Sequence, residues 1–178
     1  MSSDERQEHI LIEGDCCVEL DYGQMSLLLL YARAEAQEHL PSGDLYDLSE
    51  YGIPAECRKG IKKVMQAIIN DPEIPRRLPK KSRTYFPSRI NLKDILRAVE
   101  KKHPVIFPLM TSGIGMQLFR KESDILVNVL EALRSEGIVA LPIHDAVIVM
   151  EEHKQTTITI MKKAFRDHTG ITPQVTLG

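Results

Sequence analysis

Short apolar runs broken by glycine and acidic residues mark both ends of the chain, and helical spacing dominates between them. Residues 9–12 and 16–20 are apolar stretches separated by Glu13-Gly14-Asp15, which predicts a hairpin with a three-residue loop and leaves Asp21 at the end of its second strand. Residues 25–36 read as a helix with Leu28, Tyr31 and Ala32 on one side. Residues 53–70 read as a second, with Pro54 near its start and Ile61, Met65, Ile68 and Ile69 on one stripe. Residues 91–102 form a third, stopped by Pro104. Ser123 is the expected N-cap of a fourth, in which Ile125, Leu126, Val129, Leu130 and Leu133 recur at helical spacing before Gly137. Two very apolar strands, 138–143 and 146–150, then follow with only His144-Asp145 between them, so those two residues occupy a tight turn. A last helix, 153–167, presents Ile158, Met161, Ala164 and Phe165 and stops before Gly170, and a final strand covers 172–177. The pattern is α+β, with an antiparallel sheet and helices packed on one face.

Length and composition narrow the class. The 178 residues suit one domain, and 43% hydrophobic with 27% charged residues gives enough apolar material for a core. The longest uncharged apolar run, residues 25–32, is far short of the ~20 residues that cross a bilayer, and no secretory leader precedes a cleavage site. No membrane partner and a cytoplasmic location are expected. Cys16, Cys17 and Cys57 lack CxxC spacing and nearby histidine pairs, which fits reduced, packed thiols. A net charge of -2 excludes a uniformly basic coat, yet from Ile74 to Lys93 there is no acid. Arg76, Arg77, Lys80, Lys81, Arg83, Arg89 and Lys93 lie there with Tyr85 and Phe86 between them, and Pro75, Pro79 and Pro87 make the segment an irregular excursion. A solvated loop and a phosphate-binding surface are both compatible with it.

Two acids stand where apolar strands end. Asp21 closes one strand and Asp145 tips the late hairpin. Carboxylates beside core strands cost several kcal/mol unless neutralised, and a metal pair neutralises them. Such carboxylates can clamp two Mg2+ ions about 3.5–4 Å apart for phosphoryl transfer. Singly, neither aspartate points to a metal, because aspartate is commonplace in turns and such cases are more often structural. Gly-x-Ser-x-Gly, His-Glu-x-x-His and P-loop patterns are missing, and Ser112-Gly113-Ile114-Gly115 lacks the third glycine of a phosphate cradle.

The order of four motifs resembles the family A DNA polymerases. The stretch from Val18 to Tyr31, V-E-L-D-Y-G-Q-M-S-L-L-L-L-Y, is similar to their motif A; R-K-G-I-K-K from Arg58 to Lys63 is similar to motif B. Met116-Gln117 followed by Ser123-Asp124-Ile125 resembles the helix leading into motif C. L-P-I-H-D-A-V-I-V from Leu141 to Val149 resembles motif C itself. The resemblance covers about residues 12–150. It is strongest to compact polymerase-like proteins of bacteria, plasmids and phages, in which a segment like Arg6 to Gly14 precedes motif A and further residues usually lie upstream. A truncated chain or reduced gene product is therefore expected.

The resemblance implies a palm-like fold with residues 53–105 as a small helical, basic, fingers-like insertion in a single domain spanning 1–178. It implies a Mg2+-dependent nucleotidyltransferase, with Mn2+ as a substitute, that extends a primer on DNA or another nucleic-acid template using nucleoside triphosphates. Asp21 and Asp145 become metal ligands, with the Tyr22 backbone carbonyl beside the first. Arg58 and Lys62, four residues apart on a helix, would face the β and γ phosphates. Gln117 and His144 would approach the primer-template, and Arg76, Arg77, Lys80, Lys81 and Arg83 would contact nucleic acid.

Four positions depart from the family pattern. Ser26 stands where a glutamate normally blocks a ribose 2'-hydroxyl, and Ala146 stands where a carboxylate follows His-Asp. Gln66 and Asn70 replace the stacking aromatic and tyrosine beyond Lys62. These departures support an alternative: a catalytically degenerate polymerase fold retained to bind nucleic acid or a replication partner.

Overall fold

Both hairpins that the apolar pattern predicts form, and the first has a tighter turn than expected. The computed structural model describes residues 6, 9–71 and 73–178; of the Arg6 to Gly14 segment, residues 7 and 8 lie outside the described residues. Strands β1 (Leu11–Ile12) and β2 (Asp15–Tyr22) pair with Ile12 opposite Asp15, so the loop is two residues, not three. Glu13 and Gly14 have φ of 56° and 95°, the doubly left-handed geometry whose twist matches a two-residue hairpin.

Strand β2 is the spine of a five-stranded sheet. It pairs antiparallel with β1, with β4 (Ala146–Met150) and with β5 (Val175–Leu177), and β3 (Leu141–Ile143) adds to the far side of β4. Residues 138–140 stay outside β3, so that strand is shorter than its apolar run. Side-chain alternation gives the sheet two different faces. Leu20, Val147 and Val149 are fully buried on the face where helix α6 (Lys154–Thr169) packs, with Met161 and Phe165 inserted between helix and sheet. Full burial of each such side chain is worth roughly 1.5–3 kcal/mol. Tyr22 locks the two layers: its hydroxyl donates to the Met161 carbonyl at 2.7 Å, and its ring meets Phe165 at 5.3 Å between centroids. The other face carries Cys17 and Ile148 in a small apolar cluster with Ile12. Cys16 is exposed and Cys17 buried, as alternation along a strand requires.

Helix α1 (Met25–Arg33) stops three residues short of the expected 25–36. Helices α2 (Arg58–Asn70) and α3 (Leu92–Lys102) form as the spacing predicts, α2 after a 3-10 turn at Ala55–Cys57 and α3 behind a capping box of Asn91 and Asp94. After the short α4 (Phe107–Met110), α5 runs from Gly115 to Ser135. Ser123 is therefore not an N-cap but a mid-helix residue, whose hydroxyl donates to the Phe119 carbonyl one turn back at 3.0 Å. Gly137 ends α5 as expected. At φ 74° it closes a paired turn, with its N–H on Arg134 and that of Ile138 on Leu133.

The chain separates into two compact units, residues 1–29 with 119–178 and residues 30–118, with both boundaries inside helices α1 and α5. The sheet and α6 lie in the first; α2, α3 and the basic segment lie in the second. Among the described residues no helix is long and apolar enough to cross a membrane.

Candidate active site and basic pocket

In the sheet unit the strand register assembles the acids. Asp21 lies directly opposite Ala146 in the β2–β4 ladder, and Asp145 is the residue immediately before Ala146. Directly paired Cα atoms in an antiparallel ladder are about 4.5–5.5 Å apart, so Asp145, one residue beyond the Asp21–Ala146 pair, is a near neighbour of Asp21. Ile143 pairs with Ala146, which leaves His144 and Asp145 as a two-residue turn. His144 is exposed and adopts φ 52°, the left-handed conformation that so tight a connection demands. Asp145 is half-buried. Asp21 is also half-buried, with its Oδ1 oxygen sealed from solvent. By alternation Asp21 lies on the face opposite Leu20 and Tyr22, away from α6.

A third acid joins them that sequence reasoning did not single out. Glu122 on α5 accepts a hydrogen bond from the Ser26 hydroxyl at 3.3 Å. Burial first, and the negative charge of Asp145 second, push its carboxyl up to about 7, against the opposing pull of the Ser26 bond. Ser26 thus leaves room for a carboxylate delivered by another helix. The available signal was Glu122, two turns into the helix that precedes the strand pair, but only the fold reveals which way it points. Among the described residues no group of three or more His, Cys, Asp or Glu side chains forms a metal cluster. Two neighbouring carboxylates and backbone carbonyls are nonetheless the hard oxygen donors that suit Mg2+.

In the second unit, α2 buries Ile61, Val64, Met65, Ile68 and Ile69 and exposes its cations on the other side. They form two rows, each spaced i, i+4: Arg58 with Lys62, and Lys59 with Lys63. Arg58 makes a forked ion pair with Asp44, and that hydrogen bond raises its pKa further. Its guanidinium and the Lys62 ammonium lie 5.4 and 6.0 Å from the Tyr46 ring centroid. Lys63 lies 4.7 Å from the ring centroid of Tyr85, in the basic segment, and donates to its hydroxyl at 3.3 Å.

These contacts bring two distant sequence motifs together. Arg58, Lys59, Lys62, Lys63, Lys80 and Lys81, with Gln66, Pro79 and Tyr85, line a cavity of about 590 Å3 whose lining contains no acid. Not every predicted cation is in it. Arg76 and Arg77 are exposed elsewhere on the segment. Arg83 binds its own loop, donating to the carbonyls of Ile90 at 2.7 Å and Pro87 at 2.9 Å. Its guanidinium therefore staples the excursion in shape. Gln117 is exposed near the start of α5.

No family model and no curated protein matches the chain. Among solved structures it matches the POL domain of Pol1 from M. smegmatis, solved in complex with a DNA primer-template and dNTP. The TM-score is 0.57 at 14% identity, over 99% of this chain and 41% of that one. The fold is similar to that of a polymerase domain. At this identity the likeness concerns the fold, and the chain spans only about two-fifths of the neighbour's length. This polymerase-like fold has the small antiparallel sheet and packed helices expected from the sequence.

Proposed function

We propose that the protein is a Mg2+-dependent nucleotidyltransferase that extends a nucleic-acid primer. The observation that carries the reading is the register that sets Asp21 opposite Ala146 and hence beside Asp145. It pairs the two acids that the motif resemblance singles out, in a fold similar to a domain solved with primer-template and dNTP.

In this reading Asp21, Asp145 and the Tyr22 carbonyl hold divalent cations, with Mn2+ able to replace Mg2+. Such ions polarise the attacking and leaving oxygens of a phosphoryl transfer. Tyr22 also anchors the strand end through Met161, so Asp21 is carried by a rigid element. Arg58 and Lys62 supply positive charge to the triphosphate, and Arg58 exchanges Asp44 for phosphate oxygen when nucleotide binds. His144, exposed on its turn, and Gln117, exposed on α5, offer polar groups to the primer-template. Arg76 and Arg77 add charge on the basic segment, and Arg83 shapes it.

The degenerate alternative, a fold kept to bind nucleic acid or a replication partner, draws on Ala146 and on the Asp44 pair that occupies Arg58. Primer extension with labelled nucleotides in Mg2+ separates the two. Asp145→Asn abolishes extension while preserving the circular-dichroism spectrum if the catalytic reading holds; an unchanged rate rejects it, and a wild-type chain inert in both Mg2+ and Mn2+ selects the degenerate reading.

A further inference from the structure

We infer that Lys59, Lys63, Lys80 and Lys81, together with Tyr85, form one side of the α2 cavity and that this side binds a single-stranded stretch of nucleic acid, beside the Arg58–Lys62 row proposed for triphosphate. The division follows from where each row points. Arg58 and Lys62 turn to Tyr46 and Asp44, whereas Lys63 turns to Tyr85 and so to the loop carrying Lys80 and Lys81. Among the described residues none of these four lysines is in an ion pair, so their charge is not neutralised internally.

Geometry favours a strand over a small anion. The exposed face of α2 from Arg58 to Gln66 extends about 12 Å at 1.5 Å per residue, and the loop lysines widen it from the side. An elongated, acid-free row of lysines with a partly exposed tyrosine suits a chain of phosphodiesters carrying bases, since backbone charge gives affinity and a ring face tolerates any base. The loop is also held ready. Arg83 clamps it to Pro87 and Ile90, the Ser82 hydroxyl donates to Pro79 at 2.7 Å, and Phe86 is buried against α2 beside Gly60. Little ordering remains for a ligand to impose, which favours affinity.

The inference shares with the proposed function only its nucleic-acid partner and needs no catalysis. The test is fluorescence anisotropy of a labelled 12-nucleotide oligo-dT with the full chain, in EDTA and without nucleotide, as salt is varied. Four phosphate contacts give a slope of log K against log salt near −2.8, at about −0.7 per contact. Lys80→Gln with Lys81→Gln shallows the slope by about 1.4 and weakens binding about 25-fold at 0.1 M salt. The same double charge loss on α6, Lys154→Gln with Lys162→Gln, leaves oligonucleotide affinity within about twofold if the groove is specific. Equal loss in both double variants, no binding by the wild type, or complete displacement of the oligonucleotide by free triphosphate overturns the inference. Because metal is absent, a failed Asp145→Asn experiment does not touch it, and failure here leaves the catalytic reading standing.

Discussion

Asp21 and Ala146 face each other across the β2–β4 ladder, and this one register places a second aspartate, Asp145, at the mouth of the turn beside the first. A one-residue slip would send Asp21 to the α6 face, where Leu20 and Tyr22 are packed. The burial of Leu20, Val147 and Val149 thus fixes the geometry of the acids as well as the core.

Metal binding should follow from that pair. Mn2+ titration by electron paramagnetic resonance is expected to show saturable binding that Asp21→Asn and Asp145→Asn each weaken by roughly 100-fold or more, since a lost metal–carboxylate contact is worth several kcal/mol. The Asp145→Asn variant should melt at or above the wild-type temperature without metal, because it removes a negative charge that lies beside Asp21 and Glu122. Variants that keep wild-type Mn2+ affinity would remove both acids from the metal assignment.

Two glycines make opposite demands, and the difference is measurable. A Cβ at Gly60 would sit 2.6 Å from the Phe86 ring and 2.7 Å from the Tyr85 Cβ, so Gly60→Ala must displace the loop. Overpacking costs about 1–3 kcal/mol against at most ~1 kcal/mol of gained helix propensity, so net destabilisation is expected. At Gly137 nothing lies within 4 Å, and only its φ of 74° resists a side chain. Gly137→Ala should cost about 1 kcal/mol. Urea denaturation reads both, and only the Gly60 change should also weaken oligonucleotide binding.

What was legible in the chain was whatever depended on local pattern. The strand–turn–strand of residues 141–150, the stripe of α2 and the stop at Gly137 all follow from spacing and turn chemistry. Ser123 misled because serine caps helices and also bonds back within them, and the eight residues before it lack a clean apolar stripe: Met116 and Phe119 are exposed. The first turn read one residue too long because Asp15 looks like a loop residue although it is paired with Ile12. Glu122 beside Ser26, and Lys63 beside Tyr85, depend on chain segments 96 and 22 residues apart, and no periodicity encodes such meetings.

His103 gives the second unit a defined acid limit. It is fully buried; Tyr31 donates its hydroxyl to Nδ1 at 2.9 Å, and Nε2–H donates to the Leu45 carbonyl at 2.9 Å, which fixes the neutral tautomer. Burial lowers its pKa to about 4, from 6.5. In the unfolded chain the ring takes up a proton below pH 6.5, and the folded ring does not until about pH 4. Between those values the unfolded state binds more protons, so stability falls as pH falls, by about 1.4 kcal/mol per unit and roughly 3 kcal/mol in all. Below pH 4 this contribution is flat, and above 6.5 it is fully present. Stability from urea midpoints at pH 7.5, 6, 5 and 4 should show that slope in the wild type and lose it in His103→Gln, the other groups titrating alike in both. Parallel slopes in the two proteins would mean that His103 is protonated in the folded state and that the Tyr31–His103–Leu45 chain does not hold it neutral.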